Sequence, residues 1–140
     1  MAAYNKFETF VKDLGEGTHQ LHAAGHTCNI YLSNATPSAS ADNVKADLAE
    51  ISTGNGYTGP VDIVNTYTEA SGTGTFGGTD VTITASGGTV GPFRYAVLYN
   101  DDPTSPADPL IAWWDYGTAV TLNDGESFTV DFGASIFTLA

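Results

Sequence analysis

Ser86-Gly-Gly-Thr-Val-Gly-Pro-Phe-Arg-Tyr-Ala-Val-Leu-Tyr-Asn-Asp-Asp102, then Pro109-Leu-Ile-Ala-Trp-Trp-Asp-Tyr-Gly117 and Leu122-Asn-Asp-Gly-Glu-Ser-Phe-Thr-Val-Asp-Phe132, is the stretch that decides the fold. Phe93, Tyr95, Val97 and Tyr99 alternate with Ala96 and Leu98. Side chains alternate across a strand, so both faces of 93–99 are apolar. Such a strand should be central, with both surfaces covered. Residues 110–116 read as a second strand. Residues 120–122 lead into Asn123-Asp-Gly-Glu126, a hairpin signal. Beyond it Phe128, Val130 and Phe132 alternate with Ser127, Thr129 and Asp131. The stretch reads as four strands joined by tight turns. It carries one basic residue, Arg94, and nothing shaped like a catalytic centre.

Working outward, the same signals recur. Cys28, Ile30 and Leu32 alternate with Thr27, Asn29, Tyr31 and Ser33, a half-buried strand over 26–33. Residues 61–67 and 81–85 read as strands, and Ile136 to Leu139 as a last one. Residues 71–78, rich in Gly, Thr and Ser, read as a mobile connection. Asp42 reads as the cap of a short helix with Val44, Leu48 and Ile51 turned inward. At the front, Tyr4, Phe7, Val11 and Leu14 repeat at helical spacing and predict a helix over 2–14, stopped by Gly15 and Gly17. Its apolar stripe serves either its own sheet or another chain. The chain is thus expected to be mainly β: one domain over 1–140, with residues 1–17 as an N-terminal helix or arm. Residues 18–140 then form a jelly roll or β-sandwich of about eight short antiparallel strands.

Composition agrees. Sixteen Gly and frequent Thr suit strands and turns, and 41% hydrophobic residues suit a globular chain. There are 16 acidic residues against 4 basic ones, a formal net charge of −12. Three of the basic residues, Lys6, Lys12 and Lys45, lie in the first third. A nucleic-acid backbone needs Lys and Arg to displace its counterions, so no nucleic-acid partner is expected. Anionic membrane surfaces are disfavoured for the same reason, and no apolar run has the length of a bilayer span. The acidity suits solubility, or docking on a partner with basic patches. The single cysteine, Cys28, has no partner for an intramolecular disulfide. The opening residues lack a secretory-signal pattern.

Candidate chemistry is sparse. His19, His22 and His26 would share one face of a helix and could hold a transition metal, but Gly25 and the strand pattern after it favour a solvated turn. Asp101, Asp102 and Asp108 sit among prolines without the pattern of a calcium loop. Asp115 beside Trp113, Trp114 and Tyr116 resembles part of a glycosidase cleft, but on a strand the two tryptophans point to opposite faces. One should be core and the other at an interface or rim. No nucleophile elbow or phosphate loop is present. The expectation is no enzyme, no cofactor and no metal. The candidate protein-interface residues are Tyr4, Phe7, Val11, Leu14, Trp113 and Trp114.

Five strings resemble a known family: "GPFRYAVLYND" (91–101), "DPLIAWWDYG" (108–117), "LNDGESFTVDF" (122–132), "MAAYNKFETFVKDL" (1–14) and "LAEISTGNGYTG" (48–59). They resemble the capsid cement, or decoration, proteins of tailed bacteriophages, of the jelly-roll type found on a Bordetella podophage. The resemblance implies a structural virion protein on the outer capsid surface, made in the host cytoplasm. It would bind the major capsid protein, stabilise the shell, and act as a homodimer or other homo-oligomer. The alternative is a carbohydrate- or receptor-binding β-sandwich module of a phage tail or head fibre. Aromatics in a groove on the single chain would favour that alternative; aromatics at subunit contacts would favour cement.

Overall fold

In a computed structural model, which describes residues 2–140, the chain is mainly β, with one short N-terminal helix and no closed barrel. The described residues form ten strands and helix α1 (Glu8–Gly15). The strands are β1 (Asn5–Lys6), β2 (Cys28–Ser33), β3 (Val61–Asp62), β4 (Thr66–Ala70), β5 (Thr73–Gly77), β6 (Val81–Thr84), β7 (Val90–Asn100), β8 (Leu110–Leu122), β9 (Ser127–Val130) and β10 (Phe137–Leu139). All pairings are antiparallel. A five-stranded sheet has the order β1-β8-β7-β2-β3; a three-stranded sheet has the order β10-β5-β4; β6 and β9 form a third.

β7 is central, flanked by β8 and β2, because both of its faces must be covered. On one face, Phe93, Ala96 and Leu98 join Cys28, Ile30 and Leu32 of β2. They meet Phe76 of β5, Ile83 of β6 and Val130 of β9, so one core lies between the large sheet and the two small ones. On the other face, Tyr95, Val97 and Tyr99 join Tyr31, Leu48 and Phe7 in a second core. The segment after β2 folds over this face. The Tyr31 hydroxyl donates to the Leu48 carbonyl (2.9 Å), and the Ser33 hydroxyl to that of Ala49 (2.6 Å).

Several expectations are corrected. The four-residue stripe is not one helical face. Tyr4 precedes β1, Phe7 is extended at the helix start, and α1 turns Phe10 and Asp13 inward. Phe7 is fully buried, Tyr4 and Leu14 are half-buried, and Val11 is 57% exposed. Residues 71–78 are not a loose connection, because β5 runs through them, with Phe76 in the core and Tyr67 of β4 packed over Gly74. The short helix after Asp42 is a single 3-10 turn, Lys45–Asp47, and Asp47 caps it by accepting from the Asn43 and Val44 N–H groups. Asp42 instead accepts from the Ser38 N–H.

The strand expected over 61–67 breaks at Ile63–Asn65. There the Asn65 side chain takes the Cys28 N–H (3.0 Å) in place of a backbone partner. The expected strands at 110–116 and 120–122 are one strand, β8. The Asn123-Asp-Gly turn forms, yet β9 pairs with β6 and not with β8, so the turn carries the chain from the large sheet to the opposite layer.

Candidate binding groove

β8 separates the two tryptophans. Trp113 stacks on Phe7 (ring centroids 4.7 Å apart) at the second core. Trp114 points to the opposite face, edge-on to Tyr4 (6.0 Å) and Phe132 (5.5 Å). Both are half-buried, and each is covered within its own chain. Two residues on, Tyr116 meets Phe128 of β9 edge-on (5.4 Å) and stays 56% exposed. Phe128 in turn stands edge-on to Phe93 (4.9 Å).

Between these rings lies an open groove of about 280 Å³. Ala96, Trp114, Phe128 and Val130 give it apolar walls; Arg94, Thr129 and Asp131 give it polar ones, and Ala2 borders it. The Arg94 guanidinium is already engaged. It forks onto Asp115, with Nε to Oδ1 at 2.8 Å and the second contact at 3.1 Å. Asp115 also accepts from the Gly117 N–H (2.8 Å). The hydrogen bonds from Arg94 hold the Asp115 carboxyl below the usual carboxylate range. The planar fork presents a rigid polar edge beside the aromatic wall.

A second polar cluster sits at the far end of β7. Contrary to the solvated turn expected of the three histidines, His19 is buried, with its ring 5.1 Å from Phe10. His19 Nδ1 and His26 Nδ1 lie 3.1 and 2.9 Å from the Asn100 amide nitrogen. The Asp102 N–H donates to Asn100 Oδ1 (3.2 Å), which directs the Asn100 NH₂ group at both rings. Both Nδ1 atoms therefore accept. Burial, and then the neighbouring His26, push the His19 value down to about 4. His22 is exposed and outside the cluster.

Among the described residues, no three His, Cys, Asp or Glu side chains are placed to hold a metal ion. Burial pushes the Cys28 thiol up to about 12, far from a reactive thiolate. What the groove offers is aromatic stacking, apolar contact and hydrogen bonding. Of the candidate interface residues, only Trp114 borders it; Tyr4 backs it, while Phe7 and Trp113 belong to the second core and Val11 stands alone on α1. Reasoning from the sequence missed Phe128 and Arg94, and weighed Tyr116 only beside Asp115 as part of a glycosidase-like cleft. The alternation that placed Trp114 on one face of β8 also places Tyr116 there, but Phe128 required the crossing of β9 to the other layer.

Compared with known protein families, with curated proteins and with solved structures, the chain matches none.

Proposed function

We propose that the protein is a capsid cement protein: a non-catalytic β domain that binds the major capsid subunits of a tailed phage from outside and stabilises the shell. One observation carries this reading. The three C-terminal strings that bear the family resemblance supply nearly the whole groove: Arg94 and Ala96 from the first, Trp114 and Tyr116 from the second, Phe128 to Asp131 from the third. Residues far apart in the chain converge on one open, partly apolar surface, which is what a docking site requires. Binding the assembled shell but not free subunits stabilises the shell by mass action, and many repeated weak contacts add up. Self-association as a homodimer or other homo-oligomer belongs to the same proposal. The excess of acidic residues suits a solvent-facing position on the virion.

A second reading has an observation of its own. Trp114 and Tyr116 border an open groove on the single chain, beside a planar Arg–Asp fork, and such a combination suits stacking on a sugar. Electron-microscopy maps of particles purified with and without the protein test the first reading. Added density on the outer shell, fitting this domain, is the expected result. Particles that never carry the protein, together with a positive glycan screen, would move the assignment to the second.

A further inference from the structure

We propose that the groove receives an extended segment of the partner protein, added as a strand to the open edge of β9, with an apolar side chain inward and lysine or arginine flanking it. This rests on the cement reading and names the partner chemistry of that same site. Phe128, Thr129, Val130 and Asp131 are consecutive, yet all four line the groove. Strand side chains alternate, so four in a row border one space only when that space runs along the strand's edge.

The ladder says which edge. The Ala85 N–H donates to the Glu126 carbonyl (2.9 Å), and the register pairs Ile83 with Phe128 and Val81 with Val130. Bonded and non-bonded pairs alternate in an antiparallel ladder, so Phe128 and Val130 bond to β6 while Thr129 directs its N–H and C=O away from it. The side chains agree: the Thr82–Thr129 and Thr84–Ser127 hydroxyls meet at 2.9 and 2.7 Å, as suits the closer, non-bonded pairs. Among the described residues, β9 pairs only with β6. A free edge with its donors and acceptors beside apolar pockets is the geometry of strand addition.

The pockets and charges define the occupant. Ala96, Trp114 and Phe128 make a floor for one bulky apolar side chain. Among the described residues, the one cation lining the groove, Arg94, is held by Asp115, whereas Asp131 is exposed at the rim. With a net charge of −12 over the whole chain, the edge attracts a basic segment and repels an acidic one. Four residues of β9 span about 13 Å, enough for a pairing of about four residues.

The probe is the blocked peptide acetyl-Lys-Thr-Leu-Thr-Lys-amide, titrated into the full chain and followed by amide and indole NMR shifts. The expected result is a shift at Thr129, its neighbours and the Trp114 indole. An analogue with glutamate at both ends should bind more weakly, and one N-methylated at every amide should not bind. Thr129→Pro removes one outward donor and leaves the bonds of Phe128 and Val130 to β6 in place; it should lose the peptide. Asp131→Lys should reverse the preference between the lysine and glutamate peptides, and it carries the test if the proline variant fails to fold. Shifts elsewhere, equal response to both charges, or binding that survives N-methylation would overturn the proposal. So would an oligosaccharide that shifts Trp114 and Tyr116 where no peptide does. If Thr129→Pro takes no peptide yet decorates particles at full occupancy, the strand addition falls and the cement reading stands. If the wild type takes the peptide but never decorates particles, the cement reading falls and the groove keeps its chemistry.

Discussion

Phe7 and Val11 share one stripe in the sequence and have opposite fates in the fold. Phe7 is 0% exposed and packs on Trp113 in the second core. Phe7→Ala should therefore cost about 3–5 kcal/mol, the usual range for emptying a buried aromatic site. Val11→Ser should change stability by no more than about 0.5 kcal/mol, as expected at an exposed position. Urea midpoints of the two variants check both figures, and equal losses would refute the placement. The buried histidine makes a different prediction. Because the folded value of His19 is lowered, to about 4 from an ordinary 6.5, the fold holds the neutral ring. Between those values the unfolded chain binds more protons than the folded one, so the stability contributed is fully present above pH 6.5 and drains away as pH falls towards 4. The slope of unfolding free energy against pH over this interval should flatten in His19→Phe, which keeps the ring against Phe10 and removes the proton site. An unchanged slope would place the titration elsewhere.

At the scale of elements, β5 and the β8–β9 turn show what the sequence could and could not give away. The double apolar alternation of 93–99 is strong enough to fix β7 as central, because covering both faces has few other solutions. β5 is different: its Gly and Thr lack periodicity, and its position depends on a ring from the neighbouring strand. A Cβ on Gly74 would run into the Tyr67 ring. Gly74→Ala should accordingly destabilise the β4–β5 hairpin. Adding Tyr67→Ser should cost less in that background than in the wild type, because the new methyl group has already displaced the ring from its place over residue 74. A double-mutant cycle by denaturant unfolding measures this, and strict additivity would mean that the ring and the glycine do not meet. The Asn123-Asp-Gly turn was legible as a turn, but turn chemistry does not say which strand the next one joins. β9 joins β6 because Ile83, Phe128 and Val130 need the core between the layers, and that is a long-range requirement. The groove inherits the same limit: one wall, on β7 and β8, follows from local alternation, while the other follows only from the crossing. In the front segment, local periodicity overreached. The apolar residues at 4, 7, 11 and 14 are served by a strand, a helix cap and a helix in succession, and each element obeys its own geometry.

For the molecule as a whole, the two adjacent tryptophans separate folding from attachment. Trp113 backs the second core through Phe7, on the face covered by the segment after β2, whereas Trp114 opens onto the groove through which the cement reading has the domain bind its shell. On the cement reading the two faces of one strand serve different ends, and substituting each residue reads one of them. Trp113→Ala should lower the urea midpoint and leave occupancy on particles unchanged wherever the variant remains folded. Trp114→Ala also loses contacts with Tyr4 and Phe132, so some loss of stability is expected there too. Its distinguishing effect is on attachment, where truncating an anchor at the centre of a contact costs on the order of 2 kcal/mol or more. At 25 °C that is roughly a thirtyfold loss of affinity per site. Occupancy measured by electron microscopy at sub-saturating protein, below the melting range of both variants, makes the comparison. Trp114→Ala should leave particles sparsely decorated under conditions where Trp113→Ala decorates them as the wild type does. The reverse ranking would move the contact onto the opposite face of the five-stranded sheet, and equal occupancy would take it off both tryptophans.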